Sequence, residues 1–159
     1  MPGKKEILMN ENDIQPLRTV YHRKLAETTL DFKRYLYGQI NWDVRMLGIN
    51  GEKGVGKTTL ILQHILETFD NPDDALYVSM DNMWFTTHSI FDLADYLYSM
   101  GVYHLFLDEI HKCSQWTAVL KNLYDNYPNL NIVYTGSSML RISKRFFLMS
   151  MSASVWSGT

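Results

Sequence analysis

Cysteine is nearly absent from this sequence of 159 residues, which also has neither a long apolar run nor a large excess of one charge. Cys113 is the single cysteine, which excludes an internal disulfide and any metal site that needs four cysteines. No apolar run is as long as a membrane span, and residues 7–9 are too short for the core of a signal peptide. A formal net charge of −2 gives no sign of a polyanion-binding protein. We therefore expect one globular domain in the cytoplasm, with no membrane partner.

The strongest feature that is present is a glycine-rich motif between an apolar run, residues 44–49, and a segment of helical character. The motif reads G-x-x-x-x-G-K-T and consists of Gly51, Glu52, Lys53, Gly54, Val55, Gly56, Lys57 and Thr58. Glycines allow tight turns in which successive N–H groups point at phosphate oxygens, and the helix that follows adds the positive end of its dipole. The order of strand, glycine-rich turn and helix predicts a loop that binds the phosphates of a nucleoside triphosphate.

Two side chains of the motif have the chemistry that a bound triphosphate requires. Lys57 can reach the β- and γ-phosphates, and the hydroxyl group of Thr58 can be a ligand of Mg²⁺. The sequence therefore predicts a nucleoside triphosphate and Mg²⁺ as the ligands of this loop.

The rest of the chain alternates between short apolar segments and segments with helical spacing. Strands are predicted at residues 75–80, 103–107 and 130–134, and helices at residues 89–100 and 115–127. This alternation indicates an α/β fold with a parallel sheet flanked by helices, in which ligands bind at the carboxyl ends of the strands.

Polar residues follow two of these predicted strands. Asp108 can hold the Mg²⁺ that bridges the phosphates, directly or through water, and Glu109 has the chemistry of a general base. Ser137 or Ser138, after the last of these strands, could hydrogen-bond the γ-phosphate or the attacking water. All of them lie at strand ends, as the phosphate loop does.

Three segments, in this order, resemble the ATPase domain of a prokaryotic AAA-type family whose members often carry a second domain of unknown function. The segments are I-N-G-E-K-G-V-G-K-T-T-L from Ile49, L-F-L-D-E-I-H-K from Leu105, and V-Y-T-G-S-S-M-L from Val133. The resemblance covers residues 17–140 and implies a sheet of strand order 5-1-4-3-2, bound ATP and Mg²⁺, and hydrolysis.

The same resemblance implies a role for individual residues. Gly51 to Thr59 correspond to the Walker A loop, so that Thr59 joins the eight residues of the motif. Asp108 and Glu109 correspond to Walker B, and Ser137 corresponds to a sensor-like polar residue.

Both ends of the chain are expected to differ from this domain. Residues 1–16 are polar and are predicted to be a loosely attached leader before an amphipathic helix that begins at Leu17. Residues 141–159 depart from the family, and we expect a truncation or a shifted reading frame, with the fifth strand missing or within residues 146–155. A missing fifth strand would leave the phosphate-loop strand at a sheet edge, which predicts self-association. Weak hydrolysis is predicted because the only arginines past the fourth strand, Arg141 and Arg145, lie in this atypical tail.

Other functions fit parts of the sequence. Residues 108–111 read D-E-I-H, so a fragment of a nucleic-acid-dependent DExH-like ATPase or translocase is one alternative. Basic residues in the segment 17–36 could face a nucleic-acid or protein partner, although acidic residues interrupt them and favour a solvated helix face. A small-molecule kinase and a remnant that binds nucleotide without turnover are further alternatives, whereas the lack of an N-K-x-D motif argues against a GTPase.

Overall fold

The computed structural model of the chain describes residues 8–33, 35–52, 54, 56–137 and 154–156. Its helices are α1 (Glu11–Glu27), α2 (Lys57–Thr68), α3 (Ile90–Ser99) and α4 (Trp116–Asn126), and short 3-10 turns lie between them. Its strands are β1 (Met46–Asn50), β2 (Ala75–Ser79), β3 (His104–Asp108), β4 (Asn131–Gly136) and β5 (Ser154–Trp156). Across these described ranges, no helix combines the length and the apolar character that a membrane crossing requires.

The strands of the described residues form one parallel sheet in the order β2-β3-β4-β1-β5. Read from the other edge this is the order 5-1-4-3-2, so the predicted topology is confirmed. β1 pairs with β4 on one side and with β5 on the other. The expectation of a missing fifth strand is therefore wrong, and so is the exposed strand edge inferred from it. β5 overlaps the end of the predicted range 146–155, whose residues 146–153 lie outside the described part.

The strands are continuous apolar runs because both faces of a parallel sheet are covered by helices and connecting segments. All five residues of β1 are buried, and four of the five residues in β2 and in β3 are buried as well. The last residue of each strand therefore lies where the buried core meets the edge at which the connecting loops begin.

Helix α1 begins earlier than the sequence analysis predicts. The side chain of Asn10 accepts hydrogen bonds from the N–H groups of Asn12 and Asp13, and the Asp13 carboxylate accepts one from the N–H of Asn10, at 2.7 Å. This reciprocal cap starts the helix at Glu11, and Ile14 is already fully buried in the core. Residues 11–16 are thus part of α1, and the prediction of a leader is wrong for them. Residues 1–7 lie outside the described residues, so that part of the leader stays a prediction.

Glycine at position 48 in β1 makes room for a neighbouring tyrosine. Gly48 is aligned with Tyr134 of β4, and a Cβ atom at position 48 would lie 2.5 Å from both the hydroxyl oxygen and the Cζ atom of that ring. The Tyr134 ring is fully buried, so the core holds it on every side. The close packing of β1 against β4 therefore depends on glycine at position 48, which has no side chain.

We expect Gly48→Ala to lower the free energy of unfolding by about 1–3 kcal/mol, because the added methyl group would overpack a filled core. Gly38→Ala is the matched control, since a Cβ atom there meets nothing within 4 Å. Its effect should stay below about 1 kcal/mol. Urea unfolding of both variants measures the difference, and equal losses would contradict this account of position 48.

Candidate functional site

The glycine-rich loop connects β1 to α2 through two left-handed backbone positions. Gly54 and Gly56 both have φ near 89°, a conformation that residues with a Cβ atom rarely adopt. Gly56 is also the N-cap residue of α2, and no side chain caps that end of the helix. The first N–H groups of α2 are thereby left to bind an anion at the positive end of the helix dipole. Lys53 and Val55 of the predicted loop lie outside the described residues.

Lys57, the first residue of α2, turns its side chain back over the loop. Its ammonium group donates to the carbonyl oxygen of Gly51 and, at 3.1 Å, to that of Glu52. Burial lowers the pKa of Lys57, while the nearby carboxylates of Asp108 and Glu109 act in the opposite direction. The cation is thus held within the loop and close to two carboxylates.

The carboxylate of Asp108, at the end of β3, receives four hydrogen bonds from the protein. Its Oδ2 atom accepts from the hydroxyls of Thr58 and Tyr77, each at 2.5 Å. Its Oδ1 atom accepts from the hydroxyl of Thr135 and, at 3.1 Å, from the N–H of Glu109. With 4% of its surface exposed, Asp108 is a buried carboxylate whose acceptor positions are filled by donors.

Two of these donors, Tyr77 and Thr135, are absent from the predicted site. Burial and the negative charge of Asp108 raise the pKa of Tyr77, so the phenol keeps the proton that it donates. Both residues lie in apolar strands, where aromatic and β-branched residues are common for packing reasons alone. A polar atom within an otherwise apolar strand, near its carboxyl end, is the signal that could have identified them.

Glu109 begins the turn that follows β3 and has a left-handed backbone, with φ of 53° and ψ of 50°. Its N–H also lies 3.0 Å from the hydroxyl oxygen of Thr135, which helps to hold this conformation. The Ser79 hydroxyl donates to Asp81 and lowers the pKa of that carboxyl, and a hydrogen bond with Glu109 lowers it further. The side chain of Glu109 is therefore next to Asp81, beyond the end of β2.

A cavity of about 500 Å³ lies above the carboxyl ends of the strands, between the loop and these polar residues. Seven residues of the predicted site line it: Gly54, Gly56, Lys57, Thr58, Asp108, Glu109 and Ser137. Three others are nearby without lining it: Gly51 is buried, and Glu52 and Thr59 are exposed. The structure thus brings together most of the predicted residues, in a cavity of the size that small ligands occupy.

Two residues of the turn after β3, His111 and Lys112, also line the cavity and were not predicted. Burial and the positive charges of Lys112 and Lys57 lower the pKa of His111, which favours a neutral ring at pH 7. Within the described residues, its buried Nδ1 atom has no hydrogen-bond partner. The spacing of residues in the sequence could not predict that these two line the cavity. The path of the chain after β3 depends on the left-handed backbone of Glu109.

Comparison with known proteins identifies relatives by sequence. Residues 43–150 match the family described as AAA domain. An uncharacterized protein of Methanocaldococcus jannaschii is 39% identical over 101 residues, which are 58% of this chain and 21% of that protein. The chain therefore spans about a fifth of the length of this relative.

Two solved structures resemble the chain to different degrees. C. elegans PCH-2 superposes with a TM-score of 0.50 at 16% identity, over 93% of this chain and 43% of that one. A DNA replication initiation factor superposes with a TM-score of 0.45 at 16% identity, over 88% of this chain and 44% of that one. At this level of identity the PCH-2 structure supports the α/β fold and nothing finer.

The hydroxyl of Tyr77 is expected to contribute more to stability than that of an equally buried tyrosine, because its acceptor is a carboxylate. Tyr77→Phe should lower the free energy of unfolding by about 1.5–3 kcal/mol. Tyr21→Phe is the control, since Tyr21 is fully buried and donates to the neutral carbonyl of Pro72 at 2.6 Å. Its loss should be about 0.5–1.5 kcal/mol. Urea unfolding compares the two, and a larger loss for Tyr21→Phe would contradict the role given to Asp108.

Proposed function

We propose, since the chain belongs to the AAA domain family, that it binds ATP together with Mg²⁺ and hydrolyses the terminal phosphate. The observation that carries the proposal is the direct hydrogen bond from Thr58 to Asp108, in a cavity that Gly54, Gly56 and Lys57 also line. It joins the start of the loop helix to the end of β3, the two positions from which P-loop proteins hold a nucleotide-bound metal.

In this proposal the loop binds the phosphates and Lys57 neutralises part of their charge. The uncapped N–H groups at the start of α2 supply donors without a net charge. Lys57 is within reach of the same space, since it lines the cavity from the first turn of that helix. Its ammonium group would exchange two carbonyl acceptors for phosphate oxygens, which are stronger acceptors because they are charged.

The residues present fit a magnesium ion. The hydroxyl group of Thr58 donates a hydrogen bond to Asp108, so the lone pairs of its oxygen are available to a cation. Asp108 is acceptor-only and fixed by its other donors, which suits a carboxylate that orients the hydroxyl of Thr58 toward the metal. Bound there with the nucleotide, Mg²⁺ would neutralise part of the negative charge of the phosphates. Asp108 and Thr58 are the residues that we assign to it.

Glu109 is the residue that we assign as the general base. It lines the same cavity, and its left-handed backbone directs the chain away from β3 immediately after Asp108. A carboxylate oxygen of Glu109 would accept a proton from the attacking water. Ser137, at the end of β4, also lines the cavity and would hydrogen-bond the γ-phosphate or that water.

Location and partners follow from the family alone. We place the protein in the cytoplasm and expect self-association, as the family affiliation suggests. The chain spans only 21% of the M. jannaschii relative. A nucleic-acid or protein partner, and a process driven by ATP turnover, are therefore part of the proposal and do not follow from that relative.

Lys57→Met is expected to weaken the binding of both ATP and ADP well over tenfold. One charge pair at about 4 Å, with an effective dielectric constant near 20, contributes roughly 4 kcal/mol before desolvation. Lys121→Met is the control, since Lys121 is exposed on α4 and paired with Asp125 at 2.6 Å. Titration of each variant with a fluorescent nucleotide measures affinity. Unchanged affinity in Lys57→Met would contradict the assignment of the phosphate loop.

Glu109→Gln and Asp108→Ala should separate proton transfer from metal binding. Glu109→Gln keeps the shape of the side chain, so ATP should bind while phosphate release falls by about 10²–10⁴. Asp108→Ala leaves four donors without their acceptor and should lower stability, so it is studied under conditions where urea unfolding shows it to be folded, and there it should weaken the affinity for ATP only when Mg²⁺ is present. Wild-type turnover should lie below the median enzyme value of about 10 s⁻¹, since none of the described residues that line the cavity is an arginine. Phosphate release and titration with and without Mg²⁺ test the pair, and equal effects on affinity would refute the assigned roles.

A further inference from the structure

Lys112 is an exposed lysine that the turn after β3 brings back to the cavity. The left-handed backbone of Glu109 starts the turn, and the N–H of Lys112 closes it by donating to the carbonyl oxygen of Glu109 at 3.0 Å. The N–H of Cys113 donates to the carbonyl oxygen of Ile110 at 2.9 Å and fixes the next position. The backbone of Lys112 is therefore held in place four residues after Asp108, although its side chain is in solvent.

The ammonium group of Lys112 forms no direct pair in the described part of the chain, although its charge lowers the pKa of the nearby Asp81. Lys33 and Lys121 form salt bridges, and Lys57 donates to two carbonyl oxygens. No salt bridge and no side-chain hydrogen bond of Lys112 occurs among the described residues. Unlike these lysines, Lys112 is able to bind a ligand without first giving up an interaction that holds the fold.

The charges that line the cavity balance when Lys112 is included. Asp108 and Glu109 contribute two negative charges, and Lys57 and Lys112 contribute two positive charges. Without Lys112 the described lining would be net negative, so Lys112 adds to the attraction that the proposed Mg²⁺ and Lys57 exert on the phosphates. Lys57 and Lys112 line the same cavity as His111, and their charges both lower the pKa of that ring.

We propose that Lys112 binds the terminal phosphate of ATP from within the same chain. The inference rests on the proposed function, because it names a further residue that contacts the same substrate. Lys57 belongs to the loop that holds the inner phosphates, whereas Lys112 belongs to the turn that carries Glu109, the residue assigned to the attacking water. A cation on that turn faces the terminal phosphate, whose charge increases on the leaving and peripheral oxygens during transfer. Lys112 thus occupies the role that a finger arginine has in other phosphoryl-transfer enzymes.

The contact with one phosphate group gives the test a readout that does not depend on activity. ATP and ADP differ by the terminal phosphate, so Lys112 should matter for one nucleotide and not for the other. A charge-assisted hydrogen bond changes affinity by roughly 10-fold to 100-fold. Lys112→Met should therefore weaken binding of a non-hydrolysable ATP analogue by that factor, and binding of ADP by less than about threefold.

The experiment titrates the full chain with both nucleotides in the presence of Mg²⁺. Lys112→Arg keeps the charge and should retain the preference for the ATP analogue. Lys121→Met removes the same charge from α4, where it forms a salt bridge with Asp125, and should leave both affinities unchanged. Because Lys112 is exposed, its substitution should not change the urea midpoint of unfolding, which is measured on the same samples.

The outcomes separate this inference from the proposed function. A selective loss of the ATP analogue in Lys112→Met, with retention in Lys112→Arg, supports it. An unchanged ratio of the two affinities, or an equal loss of both, overturns it while the Lys57 result leaves the phosphate loop intact. If the wild-type chain binds neither nucleotide, both the inference and the proposed function fail. Wild-type turnover per chain that stays constant across a dilution series, and that Lys112→Met lowers, further supports action within one chain, whereas turnover that falls on dilution would contradict it.

Discussion

The buried carboxylate of Asp108 is the constraint on which the geometry of the site depends. It lies at the end of β3, and its hydroxyl donors come from α2, β2 and β4. A charge without partners at this depth would cost several kcal/mol, whereas four donors compensate for the lost water. The same hydrogen bonds connect four separate elements at one edge of the sheet. The phosphate loop and the turn after β3 thereby keep a fixed relation, although they are distant in sequence.

This arrangement separates rigid groups from accessible ones. Asp108 and Thr135 are buried and fully engaged, so they determine where their neighbours lie. Glu109, His111 and Lys112 follow immediately on the next turn and line the cavity. Residues that line the cavity are thus placed directly after a residue held by four hydrogen bonds, which is how loops acquire precision from a rigid scaffold.

Short patterns in the sequence predict the fold and most of the candidate site. The site residues that they do not predict are defined by contacts between segments that are distant in sequence. The G-x-x-x-x-G-K-T motif, Asp108 and the alternation of strands and helices are visible within short windows, and the structure confirms the fold that they indicate. Tyr77 and Thr135 became part of the site because the register of β2, β3 and β4 aligns their hydroxyls with Asp108. The predicted start of α1 is too late because the polar residues before Ile14 suggest a loosely attached leader, whereas Asn10 and Asp13 form a capping box.

The left-handed backbone of Glu109 has a consequence for how this sequence can change over time. Residues other than glycine and asparagine cost about 1–2 kcal/mol in that conformation. Replacement by glycine or asparagine would relax the backbone and raise stability, yet it would remove the carboxylate from the cavity. The substitutions that would favour folding at this position are therefore ones that remove the carboxylate. Stability of the backbone and a carboxylate in the cavity thus favour different residues at position 109.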